Sequence, residues 1–156
     1  MNYQLDEIDK KILDFLVENT RMPFTEIAKQ MDVSAGTIHV RVKKMEDAGI
    51  IIGSSLNIDY GKLDYHFTAF IGILLTKSNR TQEVLKELAS IPNVVEASVI
   101  SGKYNIFCKV RAKNTEDAKR IIYQIDDIQD VMRTESMISM EEFLSDKNRL
   151  INAISV

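Results

Sequence analysis

The spacing of apolar residues changes character once along this 156-residue chain, and that change limits the folds open to it. From Leu5 to Met45 the apolar positions recur three and four residues apart, the period of helices with one buried face. From His66 to Met140, apolar runs of strand length alternate with helical stretches. The pattern predicts a small helical unit followed by an α+β unit, with the boundary between residues 52 and 64.

Asp6 to Asn19 is predicted as the first helix. Leu5, Ile8, Ile12, Leu13, Leu16 and Val17 share one face, and acids occupy the first turn, where the helix dipole favours them. Asn19-Thr20-Arg21-Met22-Pro23 breaks the pattern, Thr25 to Met31 forms a short second helix, and Asp32-Val33 is a turn. The third helix opens at Ser34, whose hydroxyl suits a helix N-cap, and ends at Gly49, placed for a left-handed residue. Ile38, Val42 and Met45 form its apolar stripe. Thr37, Arg41 and Lys44 share another face, with His39, Val40 and Lys43 beside them. A short helix, a tight turn and a helix with a cationic face are the parts of a helix-turn-helix.

Such a helix can present its polar face to a DNA major groove. The candidate contacts are Ser34, Gly36, Thr37, His39, Val40, Arg41, Lys43 and Lys44, with Arg41 the first choice for a bidentate guanine contact. The competing reading is a solvated surface helix, with Arg41 in a salt bridge to a neighbouring acid such as Glu46 or Asp47. After it, the β-branched run Ile50 to Ile52 is predicted to pair with Leu56-Asn57-Ile58 as a small wing. Residues 1–52 are thus a helix-turn-helix domain and 53–64 a wing and hinge.

The chain carries a net charge of −3, which argues against a general nucleic-acid coat. Up to Gly49 there are 7 basic and 9 acidic residues, yet residues 34–45 contain Arg41, Lys43, Lys44 and no acid. Local positive charge suits a site-specific reader, with modest non-specific affinity and a need for two copies. A polar, acidic N-terminal stretch does not read as a signal peptide, and no apolar run approaches the ~20 residues of a membrane span. The single cysteine, Cys108, fits a reducing cytoplasm and is expected in the core.

In the second unit (65–142), His66 to Thr76 is a strand, Asn79 to Ile91 a helix stopped by Pro92, and Val94 to Ile100 a strand. The turn Ser101-Gly102-Lys103 leads to a strand over Asn105 to Arg111. A helix capped by Thr115 and a strand from Val131 to Met140 follow. The order βαββαβ is that of the ferredoxin-like αβ-plait, with both helices on one face of an antiparallel sheet. Apolar side chains on both faces of Phe67 to Leu75 and Ile106 to Val110 leave the other face in need of a partner. A second copy of the chain is the simplest one and also supplies the second recognition helix. Residues 143–156 are expected as a helical or frayed tail.

Leu5-Asp6-x-x-Asp9-x-x-Ile12-Leu13, Thr25-Glu26-Ile27-Ala28, Val33-Ser34 and Arg41-Val42-x-x-Met45-Glu46-x-x-Gly49-Ile50-Ile51 together resemble the feast/famine regulators of the Lrp/AsnC family. The resemblance continues through Val99-Ile100-Ser101-Gly102-Lys103-Tyr104-Asn105 and Met140-Glu141-Glu142. It implies a transcriptional regulator binding double-stranded DNA, with an amino-acid effector domain and dimers that assemble into octamers. The turn Ser101, Gly102, Lys103, Tyr104 and Asn105 matches the family's effector loop, and Thr134 and Ser136 match hydroxyl positions lining its pocket. Without the family, these are a plain hairpin turn and two surface hydroxyls. Many members carry acids at the positions of Lys103 and Asn105. The neutral Asn105 carbonyl accepts from an ammonium without charge assistance. That departure implies weak amino-acid binding, a different effector, or none.

Two other classes stay open at this point. A sister group of the same build decarboxylates haem precursors, but His39 and His66 lie far along the chain from the Gly102 turn. No metal-ligand cluster, Ser/His/Asp set or phosphate loop appears, so neither an enzyme nor a cofactor is expected. The third class is an effector-sensing or assembly module whose N-terminal helices bind protein.

Overall fold

Asp6 and Ser34 are short side chains carrying oxygen acceptors, and each stands where a helix begins. In the computed structural model, which describes residues 3–154, Asp6 accepts from the amides of Ile8 and Asp9. With Asp9 it closes a capping box on α1 (Glu7–Glu18). α2 (Phe24–Met31) follows Pro23, and the chain then reverses through Asp32 in a left-handed conformation (φ 54°). Ser34 accepts from the Thr37 amide at the start of α3 (Ala35–Asp47), and Gly49 is left-handed beyond its end (φ 72°). Ile12, Leu13, Ile27, Ala28, Ile38, Val42 and Met45 form one buried cluster between the three helices.

The predicted wing is not formed. Residues 51–59 contain no strand, and the amides of Ile50 and Ile51 instead bond the Met45 carbonyl at the end of α3. Ile52 is 94 % exposed, and Leu56 and Ile58 are exposed as well. A two-stranded hairpin with no apolar layer beneath it is marginal in water, so β-branched propensity alone does not hold one here.

The second unit contains β1 (Phe67–Leu75), α4 (Thr81–Ala89), β2 (Val94–Val99), β3 (Ile106–Ala112), α5 (Thr115–Asp126) and β4 (Val131–Ile138). All pairings are antiparallel, in the order β2-β3-β1-β4. This is the expected α+β plait. Two local differences are a short 3-10 turn (Ser78–Arg80) ahead of α4, and Asn114 rather than Thr115 as the cap of α5. Alternation along the strands sends Ala69, Ile71, Ile73, Ile106, Cys108 and Val110 toward Val84, Leu88, Ala118, Ile121 and Ile125 of the helices. Burial pushes the Cys108 thiol up to about 11, which leaves it an inert core residue.

The opposite face is more polar than expected. The strand register places Phe70, Gly72 and Leu74 beside Phe107, Lys109, Arg111, Glu135 and Met137. Phe70 and Phe107 stack with ring centroids 5.9 Å apart. Next to them Lys109 is only 8 % exposed, because Glu142 crosses the sheet and accepts from Lys109 Nζ (2.5 Å) and Arg111 Nη2 (2.7 Å). The chain thus covers one end of this face itself. The rest of this face carries an apolar strip of half-buried Phe70, Leu74 and Phe107 with exposed Met137.

Contacts divide the chain between Asn57 and Ile58, and the segment from Leu144 onward belongs with the N-terminal unit. That segment is neither a regular helix nor wholly frayed: it holds a 3-10 turn at Arg149–Ala153, and Ile151 packs on the N-terminal core. Among the described residues no helix is long and apolar enough to cross a membrane.

Candidate nucleic-acid interface and effector turn

Burial of Ile38, Val42 and Met45 turns the other side of α3 outward. Val40 is an apolar side chain left 52 % exposed. Lys44 is exposed, and among the described residues no acid pairs with it. Gly36, Thr37, Val40 and Lys44 line a cleft of about 500 Å³ together with Tyr3 and Gln4 of the segment before α1. The other candidates flank this cleft or are partly occupied. The Ser34 hydroxyl is 2.8 Å from that of Thr37, Lys43 pairs with Asp47 at 2.8 Å, and His39 tilts against Phe24.

Arg41 is held in salt bridges, as the competing reading expects, but to acids of α1 and its cap rather than to Glu46 or Asp47. Its Nη1 donates to Asp6 Oδ2 (2.7 Å) and to Asp9 Oδ1 (2.9 Å), carboxylates 35 and 32 residues away. Asp9 is 1 % exposed, and its Oδ2 accepts from the Tyr3 hydroxyl (3.0 Å) and the Asp6 amide (3.2 Å). The Asp9 amide and then the Arg41 guanidinium hold the Asp6 carboxyl below its ordinary value. The two carboxylates raise Arg41 further above its own, Asp6 first. Burial and the hydrogen bond to Asp9 raise Tyr3.

At the far end of the sheet in the second unit, Gly102 adopts φ 115°, a conformation that favours glycine, with open space around it. Ser101 and Lys103 beside it are exposed. The Tyr104 ring lies across Gly72, its hydroxyl donates to Glu135 Oε2 at 2.6 Å, and Lys103 Nζ donates to the same oxygen at 2.5 Å. Lys103 holds the Glu135 carboxyl below its ordinary value. Glu135 is a member of this cluster that sequence reasoning missed. Nothing in its spacing points to a turn 31 residues earlier.

Asn105 differs from its expected role. Its amide oxygen accepts from the Leu75 backbone amide at 2.9 Å, bracing the end of β1 rather than standing ready for an ammonium group. Thr134 and Ser136 do share a face, as alternation requires, but they pair with Ile73 and Ile71 and so lie on the helix side of the sheet. Thr134 donates to Asp126 of α5 at 2.7 Å, and Ser136 lines a largely apolar cleft with Ala118, Ile122 and Tyr123. One chain therefore joins Lys103, Tyr104 and Glu135, and keeps Thr134 and Ser136 on the opposite side of the sheet.

Comparison with known proteins agrees with this architecture. The family model of the AsnC-type helix-turn-helix domain matches residues 5–46, and that of the Lrp/AsnC ligand binding domain matches residues 68–148. The chain is 41 % identical over 140 residues to the regulatory protein AsnC of Haemophilus influenzae, covering 89 % of this chain and 93 % of that protein. It is 38 % identical over 141 residues to the AsnC of Escherichia coli K12, covering 90 % and 93 %. The solved structure of Escherichia coli AsnC superposes with a TM-score of 0.86 at 36 % identity, over 92 % of this chain and 97 % of that one. A Neisseria meningitidis transcriptional regulator solved in complex with L-Met shares the fold at a TM-score of 0.87 and 19 % identity, over 93 % and 96 %. The chain belongs to the Lrp/AsnC family of DNA-binding transcriptional regulators, with a helix-turn-helix domain followed by a ligand-binding domain of the ferredoxin-like fold.

Proposed function

We propose that the protein acts in the cytoplasm as a homodimer that sets α3 of each copy into successive major grooves, with Thr37, Val40 and Lys44 at the centre of each contact. The observation that carries this reading is the outward side of α3. It combines a cation that no acid among the described residues pairs with, a bare glycine and an exposed apolar side chain in a unit whose net charge is otherwise acidic. Val40 suits a thymine methyl, Thr37 either a base edge or phosphate, and Lys44 a phosphate or guanine. Ser34, Gly36, His39 and Lys43 flank them as backbone-positioning contacts.

The dimer uses the strip of Phe70, Phe107, Leu74 and Met137, since a stacked aromatic pair left in water is unfavourable at ~25 cal/mol per Å² of apolar area. Dimers assemble further, to octamers. A small molecule of the amino-acid class binds at the Gly102 turn, as the L-Met complex of the meningococcal regulator suggests. By altering how dimers pack, it changes which half-sites one particle reaches. The departures at Lys103 and Asn105 make that binding weak for common amino acids, since Lys103 already neutralises Glu135 and the Asn105 oxygen is in use. The residues assembled here serve binding, and no catalytic role is assigned to them.

Light scattering at several protein concentrations, with calorimetric titration of the twenty amino acids, tests the assembly and effector readings. A dimer or a multiple of it, with no common amino acid bound at micromolar affinity, is expected. A monomer at working concentration contradicts the first reading, and micromolar binding of a common amino acid the second.

A further inference from the structure

Arg41 sits on the side of α3 that a recognition helix turns to DNA, yet its guanidinium reaches back to α1. One nitrogen, Nη1, serves both Asp6 and Asp9. Asp9 is buried to within 1 % of full exclusion from water, and a carboxylate so placed persists only with donors on both oxygens. Arg41 supplies one of them, and the Tyr3 hydroxyl with the Asp6 amide supplies the other. Asp6 and Asp9 are also the capping box of α1. A single side chain in the middle of α3 is thereby fastened to the first turn of α1, and Tyr3 is fastened to the same carboxylate.

The electrostatics point the same way. Two carboxylates more than balance the guanidinium charge, so little of it is left to attract a phosphate. The available positive charge on this side belongs to Lys44. Thr37, Val40 and Lys44 stand three or four residues from Arg41 or adjoin it, so the pose of the arginine backbone sets theirs.

We infer that Arg41 is a positioning residue. Clamped by Asp6 and Asp9, it fixes the rotation of α3 against α1, and so the presentation of Thr37, Val40 and Lys44 to base edges. The inference rests on the proposed reading of DNA by α3.

The test uses the full chain and two duplexes, the one that the wild-type protein enriches from a random pool and a scrambled version. Affinities are measured across a salt series for the wild type, Arg41→Ala, Arg41→Lys, Asp9→Asn, Asp6→Asn and the double variant Arg41→Ala/Asp9→Asn. Arg41→Ala and Asp9→Asn are each expected to lower the ratio of the two affinities about tenfold, the scale of one misread base pair. The loss spreads over all base positions, the double variant is no worse than either single one, and the salt slope on the scrambled duplex is unchanged. Lysine does not restore the ratio, because its Nζ stands one bond nearer the backbone than Arg41 Nη1 and falls short of the two carboxylates.

Relaxed preference at one base position with Asp9→Asn behaving as wild type shows Arg41 to be a base reader and overturns the inference. A salt slope that falls by about one with Arg41→Ala, and returns with lysine, overturns it in favour of a phosphate contact. Should Asp9→Asn fail to fold, Asp6→Asn decides the matter, since asparagine still caps the helix but weakens the pair to Arg41. An unchanged ratio for Asp6→Asn overturns the inference, and a lowered one supports it. If the wild type enriches no duplex, the reading of α3 falls first, and the clamp loses its purpose with it.

Discussion

Replacing Gly72 with alanine is expected to destabilise the second unit through one identifiable collision. A Cβ built at Gly72 lies 2.7 Å from Cδ1, Cδ2 and Cε1 of Tyr104, where ordinary contact begins at 3.4 Å. The ring must therefore lift by about 0.7 Å. It is not free to do so, because its hydroxyl is held by Glu135 at 2.6 Å and its edge rests near Phe107. Overpacking of this kind costs about 1–3 kcal/mol. For a unit of this size each kcal/mol lowers Tm by about 4–8 °C. In a Tyr104→Ala background the obstacle is gone, and alanine removes the penalty of about 0.5–1 kcal/mol that glycine imposes within a strand. The effect of Gly72→Ala should thus change sign between the two backgrounds. Thermal melts of the four proteins followed by far-UV circular dichroism measure it. An equal loss in both backgrounds, or none in the wild type, refutes the placement of Tyr104 over Gly72.

Other consequences can be checked separately. Lys44→Ala should weaken binding to all duplexes and reduce the salt slope of affinity by about one; an unchanged slope contradicts a phosphate contact for Lys44. Ile38→Ala, at a position with no exposed surface, should cost about 2–5 kcal/mol in a urea titration of the N-terminal unit, and a loss under 1 kcal/mol contradicts its central place in that core. Lys109 and then Arg111 hold the Glu142 carboxyl below its ordinary 4.5. Ionised Glu142 therefore stabilises the folded sheet above that pH, and the contribution disappears as pH falls through the lowered value. The gap in denaturation midpoint between wild type and Glu142→Gln should close on acidification, whereas a gap constant from pH 7 to pH 3 contradicts the bridge to Lys109 and Arg111.

What the sequence disclosed follows from how local each determinant is. Helix starts at Asp6 and Ser34, the left-handed Gly49 and the βαββαβ order were legible because each depends on a few neighbouring residues. The wing was misread for the complementary reason. Ile50 to Ile52 have strand propensity, but Ile51 packs on the helical core while Ile50, Ile52, Leu56 and Ile58 are exposed, so no shared apolar layer holds a hairpin together. The competing reading of Arg41 looks for a partner among nearby acids such as Glu46 or Asp47, while the acids it meets, Asp6 and Asp9, lie at the start of α1, a pairing only the three-helix packing creates. Alternation put Thr134 and Ser136 on one face, but which face was settled by their register with Ile73 and Ile71. Asn105 was read as a ligand group and serves the backbone of β1 instead, a role that appears only when the strand ends meet.

Selection from a pool of random duplexes with the purified full-length protein tests most directly whether paired α3 helices read DNA. Enrichment of two related half-sites centred one helical turn apart, ~34 Å, with affinity falling as salt rises, is the predicted result. A pool that stays random after repeated rounds in low salt contradicts the account.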